Sequence, residues 1–226
     1  MKLSKKRPNN SISNEVSNLL KENIINLKLK PGETISEQEI AEQLEISRTP
    51  VREAFVRLVL DDLLEVFPQK GTRVSLIDLK EVEDARFIRE HLERAALKVV
   101  CEKIEDKDIV GLQEIINQQI KSVQSESFEE FFKLDELFHK TILELSDNEK
   151  VWQVIQRIDA HLKRIRVLSL VYHEKAQSII SDHNDILTAL AKRDEQTADQ
   201  ILTRHMNLLS NEAEVLKERY PHYFSL

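Results

Sequence analysis

Residues 46–55 read "ISRTPVREAF" and join the start of a helix to a pair of basic side chains. Apolar residues recur there at helical spacing and predict one buried helix face: Val51, Phe55 and Leu58. Pro50 is tolerated in a first turn, where backbone N–H groups have no intrahelical partner, and Ser47 can cap that turn. Arg48 and Arg52 are therefore predicted at the exposed N-terminal end of the helix.

The segments on either side predict a winged helix-turn-helix. Residues 12–27 carry apolar side chains on one helical face, and "KPGE" stops that helix. A short helix follows, with Ser36 and Glu39 as a capping box, and a three-residue turn at 45–47 leads into the helix that starts at Arg48. After that helix, strands at 64–67 and 72–76 form a predicted hairpin. Helix, helix, tight turn, helix and hairpin is the order of a winged helix-turn-helix.

This order favours DNA contact for the two arginines over an ordinary role as solvated surface charges. In a helix-turn-helix the second helix of the motif enters the major groove with its N-terminal residues towards the bases. Arginine is the side chain that can fork onto guanine or a phosphate. Thr49 and Arg52 point away from the apolar face, and Arg48 can reach beyond the helix start.

The composition is that of a soluble globular protein that is mainly α-helical. The 226 residues are 41% hydrophobic and 32% charged, with only three glycines. A single cysteine, Cys101, excludes an intramolecular disulfide, and no apolar run reaches membrane-spanning length, so we expect a cytoplasmic protein without a membrane partner. The net charge is −7, yet residues 1–77 hold 12 basic and 11 acidic residues. The excess of acidic residues therefore lies in residues 78–226, and it does not exclude a DNA partner for residues 1–77.

The sequence predicts three regions. Residues 1–10 form a flexible basic arm, residues 11–77 the winged helix-turn-helix domain, and residues 78–226 an all-α domain. Six helical segments with short polar breaks are predicted in the last region, as in an antiparallel bundle: 78–102, 106–123, 128–146, 149–171, 174–192 and 195–218.

Four polar residues interrupt the apolar stripes of three of these helices. Asp135 and His139 lie four residues apart on one helix, and His183 and His205 lie on the two later ones. Burying such groups costs several kcal/mol unless each finds a partner. They can converge on one divalent cation, although spacing alone leaves a hydrogen-bonded polar core equally open.

The segment "PGETISEQEIAEQLEISRTPVREAFVRLVLDDLLEVFPQKGTRV" resembles the DNA-binding domain of the GntR family of bacterial transcription regulators. The resemblance implies operator contacts from Arg48, Thr49 and Arg52. It also implies that Lys70 and Gly71, at the tip of the wing, approach the minor groove, where a residue without Cβ fits closely.

The later region is similar to the FCD-type effector domain of the FadR branch of that family. The segments "DELFHKTI", "DHNDILTAL" and "RHM" match those that hold a metal in many members, which implies Asp135, His139, His183 and His205 as ligands. Zinc is the first expectation, with nickel or manganese as alternatives. Metal-binding members commonly respond to small carboxylates or sugar acids. Arg89 is the candidate for a second clamp on such an acid, the alternative being a salt bridge with Glu93 at i+4.

The sequence thus predicts a homodimeric regulator, expected to be a repressor, that binds a near-palindromic operator and responds to a small organic acid. One alternative keeps the regulator but makes the metal purely structural, with the effector bound elsewhere. Another is a metal-dependent hydrolytic enzyme with a DNA-binding head, although no HExxH pattern supports it. An acyl-CoA effector is disfavoured because the polar cluster occupies the cavity that an acyl chain would need.

Overall fold

A computed structural model of the chain describes residues 9–169, 173–208 and 213–225. The chain divides into two compact units, one formed by Met1–Leu79 with Lys217–Leu226 and the other by Lys80–Leu216. The sequence-based division placed residues 217–226 in the helical domain, whereas the structure groups them with the N-terminal unit. Of the expected basic arm, residues 1–8 lie outside the described residues, and the first helix already begins at Asn9.

Three helices form the framework of the first unit: α1 (Asn9–Ile25), α2 (Glu37–Leu44) and α3 (Arg48–Leu60). Ser36 caps α2 as predicted, since its hydroxyl accepts a hydrogen bond of 3.1 Å from the Glu39 N–H. Glu45 ends that helix in the left-handed conformation, with φ of 54°, and turns the chain into α3. Apolar residues of the three helices share a buried core: Val16, Leu20, Ile24, Ile40, Leu44, Val51, Phe55 and Leu58.

A three-stranded antiparallel sheet completes the wing. Its strands are β1 (Thr34–Ile35), β2 (Leu64–Phe67) and β3 (Gly71–Val74), in the order β1-β3-β2. The predicted hairpin is present as β2 and β3. The sequence does not predict β1, because two residues are too few to display the alternation that marks a strand. The Arg73 guanidinium lies 4.4 Å from the centre of the Phe67 ring and braces the hairpin.

Residues 220–225 pack within the same unit. A 3-10 turn at Pro221–Tyr223 is followed by a parallel bridge between Phe224 and Ile77. The Ile77 N–H donates to the Tyr223 carbonyl at 2.8 Å, and the Ser225 N–H donates to the Ile77 carbonyl at 2.9 Å. The Phe224 side chain is buried.

The second unit consists of helices. They are α4 (Leu79–Lys103), α5 (Asp106–Gln124), α6 (Phe128–Leu145), α7 (Glu149–Ile158), α8 (Ala160–Ser169), α9 (His173–Ala191) and α10 (Glu195–Met206), and α11 (Ala213–Arg219) leads out of the unit. Leucine, isoleucine and phenylalanine side chains of α4, α5, α6, α9 and α10 share one hydrophobic core cluster. Among the helices in the described part of the chain, none has the length and apolarity that a membrane span requires.

Two helices that the sequence predicts as continuous are interrupted. The segment 149–171 divides into α7 and α8 at Asp159, whose φ of −95° and ψ of 11° leave the helical region. The Asp159 side chain is buried there, and one of its carboxylate oxygens lies 3.1 Å from Lys163 Nζ. The segment 195–218 divides into α10 and α11, and residues 209–212 between them lie outside the described residues.

Candidate metal centre and DNA-binding surface

The outward face of α3 displays the residues that the sequence singles out for DNA contact. Arg48, Thr49 and Arg52 are all exposed, while Pro50 and Val51 are buried. The Arg48 guanidinium lies 3.4 Å from the Glu37 carboxylate, an exposed pairing that a phosphate can compete with. The expected cap is absent, because the Ser47 side chain makes no capping hydrogen bond. The N-terminal N–H groups of α3 therefore remain free of that cap.

The wing presents the second group of predicted residues. Lys70 and Gly71 are exposed at the β2–β3 turn. Gly71 has a φ of 98°, a conformation that residues with a Cβ rarely adopt. The Lys70 N–H closes the turn by donating to the Phe67 carbonyl at 3.0 Å.

The four residues predicted as metal ligands meet inside the second unit. Asp135 and His139 lie on α6, His183 on α9 and His205 on α10, and all four are buried. One potential ligand atom from each lies within 4.8 Å of those of the others. Neighbouring pairs are closer, with His139 Nε2 3.2 Å from His205 Nε2 and His183 Nε2 3.7 Å from Asp135 Oδ1. Two ligands of one cation, each roughly 2 Å from it, can be up to about 4 Å apart.

The Nδ1 atom of each histidine faces a polar side chain outside the cluster. His139 Nδ1 lies 2.5 Å from Glu93 Oε2, and His183 Nδ1 lies 3.0 Å from Gln119 Oε1. His205 Nδ1 lies 3.4 Å from an Asp182 carboxylate oxygen. A proton on Nδ1, held by such an acceptor, leaves the Nε2 lone pair free for a metal. In each ring the Nε2 atom faces the centre.

Burial keeps two of these imidazoles neutral. It lowers the pKa of His183 well below 6.5, and the neighbouring His205 and His139 lower it further. Burial also lowers the pKa of His205, against the opposing effect of Asp182. Among the described residues, His183 Nε2 and Asp135 Oδ1 face each other without a hydrogen-bond partner. Neutral imidazoles and an unsatisfied carboxylate oxygen around one point fit a divalent cation.

A pocket with about 650 Å³ of empty space, open solvent at its mouth included, lies against this cluster. Its polar wall contains Asp135, His139 and His205 together with Arg89 and Arg166. The remaining wall is mostly apolar: Phe131, Phe132, Leu162, Ile179, Met206 and Leu208. The arrangement offers a small anion both cationic side chains and an apolar contact surface.

Arg89 has the salt bridge that the sequence offered as the alternative and lines the pocket as well. Its Nε donates to Glu93 Oε1 at 2.6 Å, and its Nη1 donates to Glu136 Oε1 at 3.1 Å. Its Nη2 is buried and has no hydrogen-bond partner within the described residues. Burial opposes the charge of this guanidinium, but Glu93 and Glu136 raise the pKa of Arg89 above its ordinary value.

Glu136 joins Arg89 to two further cations. Arg166 Nη1 donates to it at 2.5 Å and Lys163 Nζ lies 2.9 Å from it, while Arg166 Nη2 also donates to Asp135. Although burial alone raises the pKa of Glu136, Lys163 and the two arginines hold it well below the ordinary value. The pocket wall is thus a network of fixed charges.

Sequence reasoning did not assign several of these supporting residues. The sequence assigns Glu93 only the role of a salt-bridge partner for Arg89, and it assigns no role to Gln119, Asp182 or Glu136. Their positions relative to the cluster depend on how α4, α5, α6 and α9 pack, which one sequence does not specify. The available signal is that Gln119 and Glu93 lie on otherwise apolar helix faces.

Comparison with known proteins agrees with this architecture. Residues 12–74 match the family described as "Bacterial regulatory proteins, gntR family". Residues 84–208, more than half of the chain, match the FCD domain.

Individual relatives match over nearly the full length. The chain is 27% identical over 218 residues to the HTH-type transcriptional repressor RspR of Escherichia coli (strain K12), covering 96% of both chains. It is 31% identical over 207 residues to an uncharacterized HTH-type transcriptional regulator of Streptomyces ambofaciens, covering 91% of this chain and 86% of that one. The solved structure of E. coli McbR/YncC has the same fold, with a TM-score of 0.77 at 24% identity, covering 92% of this chain and 98% of that one. The chain therefore belongs to the GntR family of bacterial regulatory proteins, as a DNA-binding transcription regulator with an FCD effector domain rather than an enzyme.

Proposed function

We propose that this regulator senses a small carboxylic or sugar acid at a divalent metal in its FCD domain, and that the acid changes its affinity for operator DNA. Asp135, His139, His183 and His205 hold the metal in this proposal. Zinc is the proposed ion, with nickel and manganese as alternatives, because imidazole and carboxylate ligands suit all three. A bound metal supplies positive charge for the carboxylate of the acid.

The observation that carries the proposal concerns Arg89, in the wall of the pocket that contains three of the four proposed ligands. Its Nη2 has no hydrogen-bond partner among the residues that the structure describes. A buried guanidinium N–H without an acceptor is costly, and a carboxylate would satisfy it. The network around Glu93 and Glu136 holds the Arg89 side chain in place, so little ordering remains to be done when the acid binds.

The DNA side of the proposal rests on the exposed residues of α3 and the wing. Arg48, Thr49 and Arg52 would meet base edges and phosphates in the major groove, and Lys70 with Gly71 would approach the minor groove. A homodimer supplies two such surfaces for the two halves of a near-palindromic operator. Repression is the proposed direction of control because RspR, which matches along nearly the whole chain, is a repressor.

Thermal unfolding of chelator-stripped and Zn²⁺-loaded protein tests the effector site. The probes are acetate, succinate, malate and gluconate. A ligand at a hundred times its Kd stabilises by about 2.7 kcal/mol, which shifts the melting temperature of a chain this size by several degrees. We expect at least one acid to raise the melting temperature of the Zn²⁺-loaded protein and none to raise that of the stripped protein.

Two arginine variants of α4 locate the acid. Arg89→Gln removes the proposed clamp and should abolish the shift from the acid while keeping the shift from Zn²⁺. Arg94→Gln is the matched control, since Arg94 pairs with Asp199 and does not line the pocket. An acid shift that survives Arg89→Gln unchanged would argue against Arg89 as the clamp.

A purely structural metal is the second candidate. It is favoured by the contacts of Asp135 and Glu136 with Arg166, which close part of the pocket wall without any ligand. Under this alternative Zn²⁺ raises the melting temperature strongly and no acid in the panel adds to it. The effector then binds elsewhere.

A further inference from the structure

Glu93 is a fully buried carboxylate with two different partners. Its Oε2 lies 2.5 Å from His139 Nδ1, and its Oε1 accepts from Arg89 Nε at 2.6 Å. The Arg89 guanidinium, which is always protonated, makes Glu93 the anionic partner of a buried ion pair. One charged group therefore touches both a predicted metal ligand and the predicted acid clamp.

We propose that Glu93 is a positioning residue that couples metal binding to acid binding, by holding His139 and Arg89 at the same time. The inference rests on the function proposed above and extends it to a residue that touches neither the metal nor the acid. A carboxylate that only supports a metal ligand would contact His139 alone, whereas Glu93 also fixes the Arg89 guanidinium in the pocket wall.

The contact with His139 sets the state of the imidazole. An ionised carboxylate can only accept, so His139 Nδ1 carries the proton and its Nε2 presents a lone pair to the centre. His139 Nε2 lies 3.2 Å from His205 Nε2, so in the absence of a metal a proton on one of these nitrogens can be shared with the other, and a cation would take the place of that proton. Loss of a carboxylate behind a ligating histidine typically weakens metal binding by about 10- to 100-fold.

The contact with Arg89 sets the direction in which the guanidinium faces. Glu93 holds Nε and Glu136 holds Nη1, and Nη2 has no hydrogen-bond partner in residues 9–169, 173–208 and 213–225. With a metal bound, the His139 imidazole would be more polarised and its Nδ1–H would donate more strongly to Glu93. The carboxylate would then compensate less of the Arg89 charge, and Arg89 would attract an anion more strongly.

Glutamine at this position can satisfy only one of the two donors. If its oxygen accepts from His139, its NH₂ group faces the Arg89 Nε–H, and two donors oppose each other. If its oxygen accepts from Arg89, its NH₂ group faces His139 Nδ1, which must then lose its proton to Nε2 and block the metal. In either orientation one partner faces a donor, and the other is held by a neutral oxygen in place of a carboxylate, so Glu93→Gln weakens the hold on both His139 and Arg89.

Two comparison variants each remove one side of this link. Asp182→Asn changes a carboxylate that touches His205 but no arginine of the pocket wall. Glu136→Gln changes one that touches Arg89 but no histidine of the cluster. The pair separates an effect on the metal from an effect on the acid.

The measurements are Zn²⁺ affinity, by competition with a chromophoric chelator, and acid affinity of Zn²⁺-saturated protein, by calorimetry. The acid is the one among acetate, succinate, malate and gluconate that shifts the wild-type melting temperature most. We expect Glu93→Gln to weaken Zn²⁺ binding by about tenfold or more and acid binding by about tenfold. Asp182→Asn should weaken only Zn²⁺ binding, and Glu136→Gln only acid binding.

The inference would be overturned if the Zn²⁺-saturated Glu93→Gln variant bound the acid as tightly as the wild type does. It would also be overturned if that variant bound Zn²⁺ as tightly as the wild type. Absence of acid binding by the wild type itself would instead remove the proposed function, so the two failures are distinct. Circular dichroism checks the fold of each variant. If Glu93→Gln does not fold, Glu93→Asp is measured in the same way, because the shorter carboxylate cannot reach both partners and should weaken both affinities.

Discussion

His183 is completely buried, stacks on Phe138 at 4.1 Å between ring centres, and faces His139 and His205. Its pKa lies well below 6.5, first because of burial and then because of those neighbouring histidines. The His183 imidazole binds a proton near pH 6.5 in the unfolded chain but not in the folded protein. Stability therefore falls as the pH decreases through that value, since the unfolded state binds more protons.

We expect the melting temperature of chelator-stripped protein to fall as the pH is lowered from about 7.5 to 5.5, and to fall more steeply with Zn²⁺, because protons of the unfolded chain then compete with the metal for every ligating imidazole. The measurement is thermal unfolding at several pH values with and without Zn²⁺. His183→Asn is the control and should reduce the dependence of the stripped protein on pH. An identical pH dependence of the stripped and loaded wild type would contradict the prediction.

A substitution of Arg52 tests the proposed DNA-binding face of α3. This residue is exposed on α3 and belongs to no core contact, so its removal should leave the fold intact. Arg52→Ala should weaken operator binding by about tenfold or more, because a bidentate base contact contributes about 1–3 kcal/mol. A mobility-shift titration at a fixed salt concentration measures the operator affinity of this variant. Arg94→Ala in the helical unit should leave operator affinity unchanged, and equal losses in both variants would indicate a general charge effect.

At the scale of elements, the wing depends on one glycine. Gly71 pairs with Phe67 at the end of the hairpin and has a φ of 98°. A Cβ there meets only Thr34 Cγ2, at 3.7 Å, so the cost of a substitution is conformational rather than a clash. Gly71→Ala should destabilise the wing by about 1 kcal/mol and weaken operator binding.

Gly111 provides the matched control for that substitution. It lies in α5, and a Cβ at this position meets no described atom outside its own helix within 4 Å. Gly111→Ala should stabilise the helical unit by about 0.5–1 kcal/mol, because alanine favours a helix interior. Denaturant unfolding followed by circular dichroism measures both variants, and shifts in the same direction would contradict the conformational explanation.

The elements that the sequence predicts well are those with a local signal. Helix α3 follows from its apolar spacing and the proline in its first turn, and the hairpin from its turn residues. The break at Asp159 and the two residues of β1 lack such a signal, since the first depends on a buried side chain and the second on pairing with β3. For the centre, the four proposed ligands stand out in the sequence because each is a polar residue on an apolar stripe, and the resemblance to the FCD domain is what predicts a metal there. Glu93, Gln119 and Asp182 become visible only once the helices are packed.

At the scale of the whole molecule, residues 217–226 complete the unit that carries α3. Phe224 is buried there, next to the two hydrogen bonds that join Ile77 to residues 223 and 225. Phe224→Ala should destabilise the unit by about 3 kcal/mol, since it leaves a cavity. Denaturant unfolding measures the change. Val215→Ala, at a position that is 58% exposed, should have little effect, and equal losses in the two variants would count against the packing of Phe224.

This grouping of residues has a consequence for how such regulators can be recombined. The chain leaves the DNA-binding unit after Leu79 and returns to it at Lys217, so the effector unit is inserted within the DNA-binding unit rather than appended to it. A chimaera that exchanges everything after a single junction near residue 79 would discard Phe224, the residue that forms a parallel bridge with Ile77. An exchange that preserves the DNA-binding unit needs two junctions. A single proteolytic cut near residue 79 leaves residues 217–226 attached to the effector unit, so residues 1–79 stay bound only through non-covalent contacts with that segment.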